Sequence, residues 1–354
     1  MRLGLLGALI GALACGEATE PSDPVELEAE PREVEVEPPV EAQPQVEERD
    51  EVVAPPTLEA PEHVVFPPGP HEHEALLQAV ATTTSRQFKP VGHTSVVFRM
   101  RLRSEHTAAF KPRSRQHRRG YRAEVAAYRL SRVLGMDNVP PAAVRNVRLA
   151  EIEDRFHPRY YDVETWNEVR EWCLPNGGEV PGASIYWIPE MDDPDLDRPA
   201  EIRRWRPWLQ HDVTIPQAKR ELARDLSNML VFDYLIANWD RFSGGNIHTT
   251  PDGSRLFVRD HNAAFATRIP ADVHERLRER LTYAERFSRS MIERIQLLDR
   301  AAIELEFAKD PSHANTPLLE DEQIAGVLER RETLLSLVGA LIERHGEDAV
   351  LYFR

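Results

Sequence analysis

The stretch that decides the fold runs from Phe232 to Phe265 and reads FDYLIANWDRFSGGNIHTTPDGSRLFVRDHNAAF. Its first residues continue a helical pattern, which breaks in the run NWDR and gives way to a loop with two adjacent glycines. Two short apolar runs on either side of the turn PDG then predict a β-hairpin. In this order Asp240, Asn246 and Asp260 fall on loops close to where the strands end.

Three oxygen-bearing side chains in this arrangement suit a divalent cation that carries phosphates. Carboxylate and amide oxygens are hard ligands of the kind that Mg²⁺ and Mn²⁺ prefer. A phosphotransferase needs a further carboxylate besides the metal ligands, because a base must accept the proton of the attacking hydroxyl. The segment therefore predicts the catalytic and metal-binding part of a kinase-like fold.

A lysine and a glutamate upstream fit the same chemistry. The run from Thr107 to Pro112 predicts a short strand that carries Lys111 in an apolar setting. Gly120 to Leu134 has helical apolar spacing, with Glu124 beside the apolar side. Kinases place a strand lysine on the α- and β-phosphates and hold it with a helix glutamate. Taken alone, without the segment downstream, the two residues would by default be a surface lysine and a glutamate on a helix face.

Two further segments are predicted to contact the nucleotide. Gly92 begins the turn GHTS, which has one glycine where protein kinases have three, and this turn is predicted to cover the phosphates. The apolar run from Ala183 ends at Pro189, where the β-rich lobe of a bilobal kinase meets its hinge. The backbone around Glu190 is therefore predicted to receive the adenine. The acidic loop 192–197 is predicted to be solvated, since it lacks the glycine and distal glutamate of an EF-hand calcium loop.

A long helix is predicted from Gln217 to Ala237, with Pro216 in its first turn. Asp233 falls within the apolar stripe of this helix, and a buried carboxylate needs partners. We expect Asp233 to hold the catalytic-loop backbone or Arg241. Further helices are predicted over 287–307 and 318–345, whereas 151–182 is predicted to be irregular.

Four motifs in order resemble the secretory-pathway kinases, the family of the Golgi casein kinase and four-jointed. They are FKP at 110–112, YRAEVAAYRLSRVLG at 121–135, DYLIANWDR at 233–241 and LFVRDHNAAF at 256–265. The resemblance covers roughly residues 85–300. It implies an α+β, bilobal protein-kinase-like fold with a β-rich N-lobe and a mainly helical C-lobe. It also implies ATP with Mg²⁺ or Mn²⁺, and a hydroxyl acceptor on a secreted protein or a sugar.

The resemblance also implies a role for each residue that matches a family motif. Lys111 would bind the phosphates, Glu124 would pair with it, Asp240 would be the catalytic base, and Asp260 and Asn246 would be metal ligands. Asn246 lies six residues after Asp240, one more than in ordinary protein kinases. The residue after Asp260 is histidine, so the Asp-Phe-Gly sequence of ordinary kinases is replaced.

The N-terminus predicts export and a lipid anchor. One arginine is followed by a short run of leucine and small residues, a secretory signal pattern too short to span a membrane. The run ends in LACG, which resembles the lipobox of bacterial lipoproteins, with Cys15 as the acylated residue. An ordinary signal peptide with a chance cysteine is the alternative. The predicted location is the cell envelope, with the protein on the outer membrane or facing the periplasm.

The net charge of the chain resides in one segment. Sixteen acidic residues and two arginines between Glu17 and Glu62 give −14, whereas the whole chain carries −15. Such an acidic, proline-rich segment is typical of a disordered tether, although binding to cations or to a basic partner is an alternative. The remainder is nearly neutral, so the charge totals give no support for nucleic-acid binding. The predicted organisation is a signal peptide at 1–15, a tether at 16–70, an N-lobe at 71–190 and a C-lobe at 191–354.

The function predicted from these patterns is transfer of the γ-phosphoryl group of ATP to a hydroxyl of an extracytoplasmic protein or glycan. The alternative is a pseudokinase, a nucleotide-binding interaction module tethered to the envelope. It is motivated by the scarcity of ATP outside the cytoplasm and by the single glycine in the phosphate-covering turn. A third possibility is a HipA-like or lipid-directed kinase, which would share the fold and differ in its acceptor.

Overall fold

The computed structural model describes residues 60–66, 69–91 and 95–354. The predicted signal peptide with Cys15, the predicted tether as far as residue 59, and Gly92 lie outside these residues. Within the described part of the chain, no helix is both long enough and apolar enough to cross a membrane.

The strands of the described chain form three antiparallel sheets. Their bounds are β1 His63–Phe66, β2 Gly69–Glu72, β3 Ser85–Pro90, β4 Phe98–Leu102, β5 Thr107–Pro112, β6 Ala142–Arg148, β7 Glu179–Tyr186, β8 Ile247–Thr249 and β9 Leu256–Val258. β1 and β2 form one hairpin, and β8 and β9 form the hairpin predicted around the PDG turn. The main sheet has the order β3-β4-β5-β7-β6, so the strand that carries Lys111 lies at its centre.

Within the main sheet, β4 shows most clearly the alternation of buried apolar and exposed polar side chains. In β4, Phe98, Met100 and Leu102 are buried, whereas Arg99 and Arg101 are exposed. This period of two is the side-chain period of a strand, so one face of the sheet is buried. The buried face packs against helices on that side. Together they form a second cluster of buried apolar residues, separate from the main core and called the satellite core below.

A glycine on β7 permits close packing next to Lys111. Gly182 pairs with Pro112 in the register of β5 and β7. A Cβ at this position would lie 2.6 Å from the ring of Phe110 and 2.7 Å from the carbonyl oxygen of Lys111. Because one of these atoms belongs to the backbone, no simple side-chain rotation relieves the clash. The close approach of the two strands therefore requires glycine at position 182.

Helices cover the sheet and make up most of the C-terminal half. Their bounds are α1 His73–Thr82, α2 Gly120–Val133, α3 Leu149–Asp154, α4 Val163–Trp172, α5 Pro199–Trp205, α6 Arg220–Leu235, α7 Ala271–Leu281, α8 Arg289–Leu297, α9 Arg300–Phe307, α10 Asp321–His345 and α11 Glu347–Val350. Short 3₁₀ turns occupy Pro158–Tyr160, Arg206–Leu209 and Gln217–Lys219. Every residue of α2 is buried, and this helix shares the main core with α6 and the C-terminal helices.

The structure corrects the predicted end of the tether. The tether was expected to reach residue 70, but residues 63–66 form β1 and pair with β2. Val64 and Phe66 of β1 are each only 1% exposed. These two apolar side chains pack in the satellite core, and their burial stabilises the strand.

The region 151–182 is also more regular than predicted. It contains the end of α3, all of α4 and the start of β7. Asp162 caps α4, since its Oδ1 accepts a hydrogen bond from the backbone N–H of Thr165 at 2.8 Å. Trp166 and Val169, three residues apart, are the buried residues of α4. The helix thus needs only a narrow apolar stripe, which the many aromatic and proline residues of the region obscure in the sequence.

Two predicted helices have different bounds in the structure. The helix expected over 287–307 is divided into α8 and α9, and Asp299 caps the second by accepting from the N–H of Ala302 at 2.7 Å. The helix expected from Gln217 begins as a 3₁₀ turn, and α6 starts at Arg220. In both cases the apolar spacing continues across a break that local capping and turn geometry introduce.

Candidate active site

Three of the predicted site residues meet in one ion-pair cluster. The Nζ of Lys111 on β5 lies 2.5 Å from Oε1 of Glu124 on α2 and 2.8 Å from Oδ1 of Asp260. Asp260 follows β9 by two residues, so the cluster joins the main sheet, α2 and the β8-β9 hairpin. Lys111 and Glu124 are thirteen positions apart in the sequence and Asp260 is a further 136 along, yet one ammonium group contacts both carboxylates.

The charges in this cluster stabilise one another despite burial. Burial opposes a charged Lys111, but Glu124 and Asp260 outweigh it and raise the pKa of the ammonium group. Burial likewise opposes a charged Glu124, but Lys111 and the hydrogen bond from His261 hold the pKa of that carboxyl well below its usual range. Both residues therefore stay charged across the physiological pH range.

Glu124 also fixes the backbone that follows Asp260. Its Oε2 accepts a hydrogen bond from the backbone N–H of His261 at 3.0 Å, while Oε1 contacts Lys111. The two oxygens of one carboxylate thus hold the lysine and the loop at the same time. Asp260 has a φ of 64°, a left-handed conformation that aspartate adopts more readily than most residues. This conformation turns the chain sharply between β9 and His261.

The loop that contains Asp240 begins with another left-handed residue. Ala237 has a φ of 53° and follows the end of α6. Alanine in this conformation costs about 1–2 kcal/mol, so the surrounding contacts must enforce it. The backbone N–H of Asn238 donates to the carbonyl of Asp233 at 2.8 Å, and its side-chain Nδ2 donates to Asp233 Oδ1 at 3.1 Å. The same Nδ2 lies 3.4 Å from the carbonyl oxygen of Asp260.

A buried arginine supports both halves of the site. Arg241 Nε lies 2.8 Å from Asp233 Oδ2, and its Nη2 lies 3.0 Å from Oδ1, so the pair is bidentate. Arg241 Nη1 donates to the carbonyl oxygen of Asn246 at 3.1 Å and also to that of Arg259. The expectation that Asp233 holds Arg241 is confirmed. One guanidinium thereby ties the loop 240–246 to the residue that precedes Asp260.

Asp240 and Asn246 lie at the two ends of this supported loop. Asn246 Nδ2 donates to the carbonyl oxygen of Asp240 at 3.0 Å and lies 3.2 Å from Ser243 Oγ. With both hydrogen bonds made by Nδ2, Oδ1 is the side-chain atom that Asn246 offers to a cation. The Asp240 carboxylate is partly exposed. Their roles as base and metal ligand stay predictions, and so does the role of Asp260.

Glu190 lies on the bend between the sheet and the acidic loop. β7 ends at Tyr186, and Asp192 then pairs with Thr249 of β8 through two backbone hydrogen bonds of 2.9 Å. The segment 187–191 therefore connects the sheet directly to the β8-β9 hairpin, in the position predicted for a hinge. Glu190 is exposed on this segment. Its contact with adenine stays a prediction.

His117 and Asn262 belong to the site and have no signal in the sequence. The His117 imidazole is close enough to Lys111, Asp260 and Asp240 for their charges to affect it, and burial followed by Lys111 lowers its pKa. A Cβ at Gly120 would lie 3.0 Å from Cβ of His117 and 3.2 Å from Cβ of Asn262. Gly120 thus lets the start of α2 approach the loop after Asp260. The basic sequence around His117 indicated only a loop.

The histidines of the site predict acid lability. Burial, followed by the nearby Arg259, lowers the pKa of His248 to about 4, and burial lowers that of His261. Both are neutral when folded, so the unfolded chain binds more protons below about pH 6.5, and stability is lost as the pH falls. The Lys111–Glu124 pair does not contribute to this dependence of stability on pH, because the pKa values of the two groups in the unfolded chain are about 10.4 and 4.3.

We expect the free energy of unfolding, measured in urea, to decrease from pH 7 to pH 5. His261→Gln should reduce this slope, because the titrating group is removed. His274→Ala, a change at an exposed histidine of α7, should leave the slope as it is in the wild type. Equal slopes in the wild type and His261→Gln would contradict the assignment of His261 as a buried neutral group.

Comparisons with known proteins find a family model and solved structures that are similar to this chain. The family model of the four-jointed box protein middle domain matches residues 99–264. The crystal structure of the Golgi casein kinase with Mn/ADP bound is similar, with a TM-score of 0.58, 18% identity and 78% of each chain covered. The structure of hydra Fam20 with sugar has a TM-score of 0.60 and 17% identity, covering 78% of this chain and 91% of that one. No curated protein matches the sequence.

The predicted fold is confirmed. The similarity to both structures shows a kinase-like fold, in which the β3–β7 sheet with α2 corresponds to a β-rich lobe followed by a mainly helical lobe. The matched segment begins in β4 and ends after Asp260, so it includes Lys111 and the whole Asp240 loop. The four-jointed model and the two solved structures are thus similar to the part of the chain that carries the ion-pair cluster, and the two structures share its fold.

Proposed function

We propose that the protein is an ATP-dependent kinase that transfers the γ-phosphoryl group to a hydroxyl of an extracytoplasmic protein or glycan. The observation that carries this proposal is the contact of Lys111 with both Glu124 and Asp260. A lysine held by a helix glutamate and placed beside a metal-ligating aspartate is the arrangement that kinases use for nucleotide phosphates.

The donor set fits a divalent cation bound with the nucleotide. Asp260 offers carboxylate oxygens and Asn246 offers Oδ1, and hard oxygen ligands of this kind suit Mg²⁺ or Mn²⁺. When bound, the cation would neutralise charge on the transferring phosphoryl group. The related Golgi casein kinase was solved with Mn/ADP bound, which supports a nucleotide and Mn²⁺ for this chain as well.

The chain's own residues would act mainly through position and charge. Lys111 is held in place by its two carboxylate partners, so its ammonium group is oriented before a nucleotide binds. Asp240 would accept the proton of the acceptor hydroxyl, since its carboxylate is partly exposed at the start of the loop. Arg241 would contact no substrate, but it would keep the Asp240 and Asp260 loops at a fixed separation.

The proposal is tested with the purified full chain, radiolabelled ATP and either Mg²⁺ or Mn²⁺. We expect label to enter the chain itself or proteins and glycans of an envelope extract, and we expect Asp260→Ala to give only background. Metal-dependent nucleotide binding without any transfer or hydrolysis would instead support the pseudokinase alternative. Equal labelling by wild type and Asp260→Ala would show that the activity does not arise at this site.

The location of the acceptor is part of the same proposal. Cys15 would carry the lipid, the acidic segment would act as a tether, and the kinase domain would face the envelope or its exterior. Membrane fractionation of cells that produce the wild type and Cys15→Ser tests this. Retention of the wild type in the membrane and release of the variant are expected, whereas equal distribution of the two would contradict a lipid anchor at Cys15.

A further inference from the structure

A second cluster of possible metal ligands involves none of the residues of the proposed kinase site. It consists of His211, Glu285 and His345. His211 follows the 3₁₀ turn that ends at Leu209, Glu285 lies between α7 and α8, and His345 is the last residue of α10. Three segments that are remote in the sequence thus place two imidazoles and one carboxylate together. All three side chains are partly buried.

The distances within the cluster are already close to those of a coordination site. One potential ligand atom from each residue lies within 4.8 Å of the other two. His211 Nδ1 is 2.6 Å from Glu285 Oε2, and the rings of His211 and His345 stack with centroids 3.6 Å apart. Ligands of a tetrahedral zinc ion are about 3.3–3.4 Å apart, as follows from bond lengths of about 2.0–2.1 Å. Binding an ion would require the stacked rings to rotate until their nitrogens converge at that spacing.

The backbone that carries two of the ligands is held in place by several hydrogen bonds. The backbone N–H of Glu285 donates to the carbonyl of Leu209 at 2.9 Å, and the backbone N–H of His211 lies 3.2 Å from Glu285 Oε2. Arg286 donates to the carbonyls of His211 at 2.8 Å and Val213 at 2.6 Å. His211 and Glu285 are therefore positioned before any ion binds, which reduces the ordering that binding requires.

The chemistry of the cluster favours a borderline transition-metal ion over Mg²⁺ or Ca²⁺. Two imidazole nitrogens and one carboxylate oxygen are a ligand set that Zn²⁺ commonly uses, with a fourth position for solvent. His345 ends a 25-residue helix, and the carbonyl end of a helix dipole favours a positive charge. The Glu285 carboxylate contributes a negative charge to the cluster.

We propose that His211, Glu285 and His345 form a zinc site that fastens the C-terminal end of α10 to the segments 209–213 and 283–287. The ion would be structural, since its ligands come from three segments of the helical lobe. It would link the end of α10 directly to these two segments. This role is independent of phosphoryl transfer, so it stands whether or not the chain is an active kinase.

The test measures Zn²⁺ binding to the purified full chain in an Asp260→Ala background, which weakens ion binding at the proposed kinase site. Variants with His211→Ala and His345→Ala are compared with His274→Ala, a control at an exposed histidine of α7. Bound zinc is counted after dialysis against metal-free buffer, and Co²⁺ is used as a spectroscopic probe. Thermal melting is recorded with and without Zn²⁺, and circular dichroism establishes that each variant is folded.

We expect one Zn²⁺ per chain in the background and His274→Ala proteins, with Co²⁺ absorption typical of four-coordinate sites. At a hundredfold excess over the dissociation constant, the melting temperature should rise by about 5–10 °C. His211→Ala and His345→Ala should fold but show neither the bound ion nor this rise. Zinc binding that survives both substitutions, or a background protein that retains no zinc and melts at the same temperature in its presence, would overturn the proposal.

Discussion

Replacing Asp240 with Asn is expected to lower kcat for phosphoryl transfer by about 10²–10⁴-fold, the range that a positioned general base contributes. Asparagine has nearly the same shape but cannot accept the proton of an attacking hydroxyl. The backbone carbonyl of Asp240 accepts a hydrogen bond from Asn246 Nδ2. The substitution leaves this carbonyl unchanged, so the loop should keep its conformation. The labelling assay with the acceptor found in the envelope extract gives kcat directly.

Nucleotide binding by the variant shows whether the loss of kcat arises from the missing base alone. Lys111, Glu124 and Asp260 contact one another without Asp240, so the nucleotide-dependent rise in melting temperature of the variant should equal that of the wild type. Asp272→Asn, at an exposed aspartate of α7, is the matched control and should leave kcat unchanged. A kcat for Asp240→Asn within a few-fold of the wild type would remove Asp240 from the role of base.

Asp233→Ala is expected to destabilise the fold by about 3–5 kcal/mol, because it leaves a buried cation without its partner. The Arg241 side chain is 1% exposed, and both oxygens of Asp233 contact its guanidinium. The Asn238 side chain also loses its acceptor on Asp233. Urea unfolding gives the free energy. The residual folded protein should also lose transfer activity, since Arg241 connects the two loops of the site.

A double variant separates the lost ion pair from simple loss of volume. Asp233→Ala with Arg241→Met removes both charges, so it should be more stable than Asp233→Ala alone. Asp272→Ala breaks an exposed ion pair with Arg276 and should cost about 1 kcal/mol or less. If Asp233→Ala costs no more than Asp272→Ala, the Arg241 pair does not hold the site together.

Much of this site follows from local sequence patterns. The helix break before Asp240, the PDG hairpin and the strand ahead of Lys111 each have a signal within a few residues. The apolar stripe of α6 is why Asp233 could be predicted to need a partner, and Arg241 was a candidate because it follows the helix closely. Roles for Glu124 and Asp260 required the family resemblance, since spacing alone does not bring distant residues together.

Other features depend on tertiary contacts that no local pattern encodes. No sequence pattern around Arg259 predicts a role for it, yet its backbone carbonyl oxygen accepts a hydrogen bond from Arg241. Gly182 was expected to end an irregular region, and the need for glycine there follows from the Phe110 ring and the Lys111 carbonyl that lie against it. His117 becomes part of the site because α2 starts close to the loop after Asp260. The ordering of β1 likewise depends on a core that residues remote in the sequence supply.

The complete burial of α2 restricts how this kinase fold can be controlled. Arg122 donates to the carbonyl of Pro317 at 2.5 Å and lies 3.2 Å from Glu320, which caps α10. Arg129 lies 3.4 Å from Glu306 on α9. Hydrogen bonds to charged groups contribute about 1.5–3 kcal/mol each, so moving α2 far enough to separate Glu124 from Lys111 would also have to break these contacts. A switch based on movement of this helix is therefore disfavoured by the helix's own anchoring.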